Sequence, residues 1–136
     1  MICQMDSDVI GLMEIQNDAT DTALNTLVNG GTVTDEGTSS SIVVDGLNTI
    51  CPTSSGWDYV ATGAVGTDAI RVAFIYDTTT AAVASGTTAE ILNDIVADTL
   101  GFTSYLPLFD GSDTNRAALA VTFEEIATGA ERFGAL

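Results

Sequence analysis

Histidine and lysine are absent from this sequence of 136 residues, and its only cations are Arg71, Arg116 and Arg132. Without histidine the chain lacks the commonest general base at neutral pH and the commonest transition-metal ligand. Nineteen acidic residues oppose the three arginines, for a formal net charge of −16. That balance cannot form the basic stripe with which nucleic-acid-binding modules neutralise phosphates, so the intrinsic affinity of this chain for nucleic acid is expected to be weak. It disfavours an anionic membrane surface for the same reason. No apolar run approaches the length of a membrane span. Met1 to Met5 lacks a basic start, and Asp6 and Asp8 interrupt any apolar run, so no export leader is read here. Hydrophobic residues nevertheless make up 46% of the chain, enough for a packed core and too many for wholesale disorder. The length fits one domain, residues 1–136. The chemistry left to such a composition is that of hard oxygen donors, suited to Mg²⁺ or Ca²⁺.

Cys3 and Cys51 match no metal-binding spacing. They read either as one disulfide or as two small buried hydrophobes. Val9 to Ile15 is a short apolar run expected to be a buried strand of a parallel or mixed sheet, with Glu14 near its end. Asp18 is placed to cap a following helix, with Asp21 in its first turn and Ala23, Leu24, Leu27 and Val28 on one face, stopped by Gly30-Gly31. Thr32 to Ser41 reads as an inserted polar loop, and Ile42 to Ile50 as one side of a short helix. Trp57 to Val60 and Ile70 to Tyr76 read as strands of a hairpin. A brief edge strand is expected at Ala82 to Ala84, a helix over Ala89 to Leu100, a loop over Tyr105 to Asn115, and a strand over Leu119 to Phe123. A turn at Thr128-Gly129 then precedes a strand from Phe133. The pattern predicts an α/β or α+β layered fold.

Three blocks carry a more specific signal. Asp6 to Asp18, containing Gly11-Leu12-Met13-Glu14-Ile15-Gln16-Asn17-Asp18, resembles the first motif of the endonuclease/exonuclease/phosphatase superfamily, nearest to its bacterial extracellular nucleases. Gly66-Thr67-Asp68-Ala69-Ile70-Arg71-Val72-Ala73-Phe74-Ile75-Tyr76 resembles a second block of that subgroup, and Asn115-Arg116-Ala117-Ala118-Leu119-Ala120-Val121-Thr122-Phe123 a third. The resemblance implies an α/β fold, part of a two-sheet α/β sandwich with a mixed sheet and flanking helices. It also implies a metal-assisted phosphodiesterase, secreted to the extracellular space or the periplasm, whose substrate is nucleic acid or another phosphodiester. Glu14 would then bind the catalytic Mg²⁺, with Mn²⁺ or Ca²⁺ as possible substitutes; a hard dication there polarises a phosphoryl oxygen and stabilises developing charge. Asp68 would lie near the substrate or a catalytic group, or serve as an ordinary turn aspartate. Arg116 would contact a phosphate or pair with a neighbouring carboxylate. Asn17 and Asp18 would help to shape the site or cap the helix.

The family's Asn-His, Asp-x-Asn and terminal Asp-His motifs have no counterpart here. The expectation is therefore a fragment of a catalytic domain, inactive by itself, with the histidine-bearing half of the site absent. A two-sheet sandwich missing one half would leave strand edges open, so self-association into a homo-oligomer is expected. The alternative is a non-catalytic acidic binding or structural module that reuses the scaffold, with Asp110, Asp113 and Asn115 as Ca²⁺ ligands.

Overall fold

The computed structural model describes residues 2–35, 37–51, 56–101, 117–127 and 131–136. A 3₁₀ turn (Ile2–Gln4) leads into β1 (Val9–Gln16), α1 (Thr22–Asn29), β2 (Gly31–Asp35), β3 (Ser40–Val44), α2 (Leu47–Ile50), β4 (Trp57–Tyr59) and β5 (Ile70–Asp77). There follow β6 (Ala81–Val83), β7 (Glu90–Leu92), α3 (Asp94–Thr99), β8 (Ala118–Glu125) and β9 (Arg132–Ala135). The protein is of mixed α/β class, with antiparallel sheets and few helices.

β5 organises the core because it carries apolar side chains on both faces, as a strand covered on both sides must. It lies between β1 and β4 in a three-stranded sheet. Ala73 and Ile75 face one way and join Leu24 and Val28 of α1, Leu47 and Cys51 at α2, and Trp57. Val72, Phe74 and Tyr76 face the other way and meet Leu119, Val121 and Phe123 of β8. β6 and β7 pair with successive stretches of β8, and β9 pairs with Val121 to Glu124. Phe123 sits at the centre of this second cluster, edge-on to Phe74 with centroids 6.1 Å apart and stacked on Phe133 at 5.8 Å. Such aromatic geometries add about 0.5–1.5 kcal/mol per pair beyond the area buried.

Several sequence expectations need correction. Every strand pairing among the described residues is antiparallel, so the mixed sheet does not appear there. β1 lies at the end of its sheet and is only partly buried. Residues 32–41 are not a simple inserted loop, for β2 and β3 form an antiparallel ribbon that takes in Ile42 and Val43 and leaves only Leu47–Ile50 helical. The stretch from Ala89 begins as strand β7, and Asn93 then starts α3 by accepting a hydrogen bond from the Val96 N–H at 3.0 Å. The expected strands over 57–60, 70–76, 82–84, 119–123 and from 133 are present within a residue or two. The loop at 105–115 and the turn at 128–129 lie outside the described residues.

Cys3 and Cys51 form a disulfide across 48 residues, tying the segment before β1 to the end of α2. Gly30 and Gly46 pack backbone to backbone: a Cβ on Gly46 would lie 2.2 Å from the Gly30 nitrogen. This contact closes the base of the β2–β3 ribbon, and no side chain fits there. Among the described residues no helix is long and apolar enough to cross a membrane.

Candidate functional site

β1 pairs regularly with β5 from Val9 to Leu12, then breaks register. Leu12 stands opposite Ala73 and Ile15 opposite Arg71, so Met13 and Glu14 together face the single residue Val72. This is a β-bulge, a device that bends a strand and redirects its side chains. Glu14 adopts the left-handed conformation, with φ of +60°. For a non-glycine residue that costs about 1–2 kcal/mol. Its side chain and that of Met13 are exposed.

Three residues later, the chain is clamped to the segment that leads into β5. The Asn17 amide donates to the Ala69 carbonyl at 2.9 Å. Its side-chain Oδ1 accepts from the Val65 N–H at 2.8 Å, while Nδ2 donates to the carbonyls of Val65 at 2.9 Å and Asp68 at 2.7 Å. Asp68 thus lies at the same end of the β1–β5 pair as Glu14. Its carboxylate accepts from the Ala69 N–H at 2.7 Å.

Asp18 accepts from the backbone and side-chain donors of Thr20 and Thr22. The Thr22 amide, then the Thr20 hydroxyl and amide, hold its carboxyl down at about 2. Asp18 therefore organises the turn before α1 but is not its N-cap, contrary to the capping expectation. Asp21 departs from its expected place in the first turn: it is the N-cap residue itself, with φ of +54°, and makes no side-chain cap. Its carboxylate is engaged elsewhere.

That engagement is a buried ion pair. Arg71 is 1% exposed and Asp21 6%. Arg71 Nη2 donates to Asp21 Oδ1, and Nη1 donates to the Thr62 hydroxyl at 2.7 Å and to the Gly63 carbonyl. The second carboxylate oxygen of Asp21 accepts from the Gly63 N–H at 3.0 Å. Arg71 Nε is buried without a hydrogen-bond partner among the described residues. Sequence reasoning assigned neither this pair nor the Asn17 clamp. A lone cation inside the most apolar strand was the available signal, since a buried arginine requires a partner.

Arg116, the third candidate, lies outside the described residues, as do Asp110, Asp113 and Asn115. Among the described residues there is no group of three or more acidic, cysteine or histidine side chains able to hold a metal. Glu14 offers one exposed carboxylate to a hard cation, which is one donor of the several that Mg²⁺ takes up. The described residues therefore do not amount to a metal site.

A cleft of about 440 Å³ lies on the β8 side of β5, lined by Tyr59, Val60, Thr62, Tyr76, Val83 and Ile91 among others. Burial, and then the Asp58 carboxylate that accepts from its hydroxyl at 3.3 Å, raise the pKa of Tyr76 and keep it neutral. The described lining is uncharged, with the hydroxyl-bearing residues Tyr59, Thr62, Tyr76 and Thr88 among its apolar side chains.

No family model matches the chain, nor does any curated protein or solved structure. The structure itself defines a mixed α/β protein whose described strands form three antiparallel sheets, with the β5-centred sheet packed against β8.

Proposed function

We propose that this chain contributes the glutamate-bearing part of a Mg²⁺-dependent phosphodiesterase of the endonuclease/exonuclease/phosphatase type, an extracellular nuclease acting on nucleic-acid phosphodiester bonds. Within this reading the β1–β5–β4 sheet and the sheet built on β8 are the inner layers of that family's α/β sandwich. The observation that carries the proposal is the setting of Glu14. A carboxylate is held in a costly left-handed conformation on a strand bulge, at the sheet end that also carries Asp68. Bulges and strained residues gather where a side chain must be aimed. The motif resemblance supplies the chemistry: Glu14 as ligand of Mg²⁺, Asp68 beside the substrate, and Arg116 toward a phosphate. When bound, the cation would polarise the phosphoryl oxygen. General-base work falls to histidines that the 136 residues do not contain.

Manganese titration tests the reading directly. Mn²⁺ added to the isotope-labelled chain should broaden the amide resonances of Glu14 and Ile15 first, and Glu14→Gln should remove that effect. Broadening centred elsewhere, or unchanged by Glu14→Gln, would point instead to an acidic module with no phosphodiesterase site.

A further inference from the structure

The cleft on the β8 side of β5 plays no part in the phosphodiesterase reading. Its volume of about 440 Å³ falls in the range of pockets that enclose small organic molecules. Val60, Val83, Ala89 and Ile91 give it apolar walls, continuous with the cluster around Phe123. The described lining holds no charged side chain, so its side-chain polarity comes from hydroxyl groups.

A hydroxyl has a proton to donate and lone pairs to accept with, and what it offers a ligand depends on where the proton goes. In this cleft the protons are committed. Tyr76 donates to Asp58 Oδ2 at 3.3 Å, and Thr88 donates to Glu90 Oε1 at 3.2 Å. An ionised carboxylate only accepts, so in both pairs the hydroxyl is the donor. Thr62 donates to the Gly63 carbonyl at 3.1 Å while receiving an Arg71 N–H at 2.7 Å. Oxygen lone pairs are what Tyr76 and Thr88 have left for an occupant. The carboxylates that fix this polarity, Asp58 and Glu90, are exposed and add negative charge beside the cleft. The Arg71 charge is buried against Asp21 and does not offset them. A net charge of −16 deepens the negative field, which draws cations and repels anions.

We infer that the cleft binds a small organic cation, a primary ammonium group carried on an apolar body. An ammonium brings N–H donors and no acceptor to oxygens whose own protons are engaged, and the apolar body covers the walls. A carboxylate or phosphate would set its lone pairs against theirs. A neutral alcohol has a single proton to give and gains nothing from the field. The inference does not depend on the phosphodiesterase reading.

The test compares three probes that share one apolar body: 2-phenylethylammonium, 2-phenylethanol and phenylacetate. Each is titrated into the isotope-labelled 136-residue chain at neutral pH and about 0.15 M salt, where attraction to exposed surface charge is largely screened. The ammonium should shift the amides of Val60, Val83 and Ile91 in one saturable step. Its Kd should lie at least about tenfold below that of the alcohol, because hydrogen bonds from a charged donor are the stronger kind. Phenylacetate should give no saturable shift at those amides. The double variant Asp58→Asn, Glu90→Gln changes exposed side chains only and replaces each carboxylate by an amide, which both donates and accepts. The hydroxyls are then released to donate into the cleft, and the preference for ammonium over alcohol should fall severalfold. Asp6→Asn, Asp45→Asn removes the same charge from residues outside the described lining and should keep the preference. Equal affinity for ammonium and alcohol in the parent chain overturns the inference, as does a shift that spreads over the surface without saturating. An equal loss of preference in both double variants also overturns it, since the attraction would then belong to the field of the whole chain and not to the cleft.

Discussion

Arg71 meets its charge inside the protein, and the consequences are measurable at single residues. Removing one partner of a buried ion pair strands the other, which typically costs about 3–5 kcal/mol. Asp21→Ala should lose stability of that order in urea denaturation, because Arg71 would keep only its neutral acceptors at Thr62 and Gly63. The double variant Asp21→Leu, Arg71→Met should recover much of the loss, since apolar replacement of both partners removes the stranded charge. Asp18 gives the pH-dependent counterpart. Its carboxyl is held at about 2 in the folded chain, against an ordinary value of 3.8. The depressed value means that ionised Asp18 favours the folded state, fully so above pH 3.8, with the contribution lost as pH falls through 2. The difference in Tm between the parent chain and Asp18→Asn should therefore shrink on acidification from pH 5 to 2. A constant difference over that window would show that the Thr20 and Thr22 hydrogen bonds do not favour the ionised carboxylate.

Elements record how far patterning reaches. β5 was readable because Ile70 to Tyr76 is a β-branched and aromatic run with turn residues before it. The β2–β3 ribbon was not: Thr32, Thr34, Ser40 and Ser41 are polar, and the ribbon is held by backbone pairing with few buried side chains. Ile91 and Leu92 mimic a helical face because a short strand followed at once by a helix offers too few residues to show its period. Glu14 was picked out by its motif, yet nothing local announces the bulge, which is a matter of pairing register with β5. Asn17 and the Arg71–Asp21 pair were hidden for the same reason, their partners being 42 to 51 residues away. Two element-level predictions follow from backbone geometry. Gly46→Ala should destabilise by about 1–3 kcal/mol, because the added Cβ meets backbone atoms of Val28, Asn29 and Gly30 that cannot rotate aside; thermal denaturation checks it, and an unchanged Tm contradicts it. At the bulge, Glu14→Gly should be more stable than Glu14→Ala by about 1 kcal/mol, since both lack the carboxylate and only glycine tolerates φ of +60° freely. Equal stabilities would mean that the bulge relaxes when the glutamate is removed.

The whole molecule is held by two clusters on opposite faces of β5 and by one covalent tie. In the chain-entropy view, a disulfide closing 48 residues is worth about 4 kcal/mol. Reduction with a thiol should lower the denaturation midpoint accordingly, and a Cys3→Ser, Cys51→Ala variant should match the reduced chain. No loss on reduction would mean that the core around Leu24, Val28 and Trp57 needs no covalent closure. The charge of −16 opposes association with nucleic-acid phosphates. On the phosphodiesterase proposal, the carboxylate at the β1 bulge bears on catalysis and not on substrate affinity. The most direct test is DNA hydrolysis by the protein encoded by the full open reading frame that contains these residues, assayed in Mg²⁺ with and without EDTA, for the parent sequence and for Glu14→Gln. The account predicts EDTA-sensitive cleavage that Glu14→Gln reduces by roughly a thousandfold, the rate equivalent of several kcal/mol of metal stabilisation. Cleavage that survives Glu14→Gln, or a complete protein that binds Mg²⁺ without cleaving any phosphodiester, would contradict it.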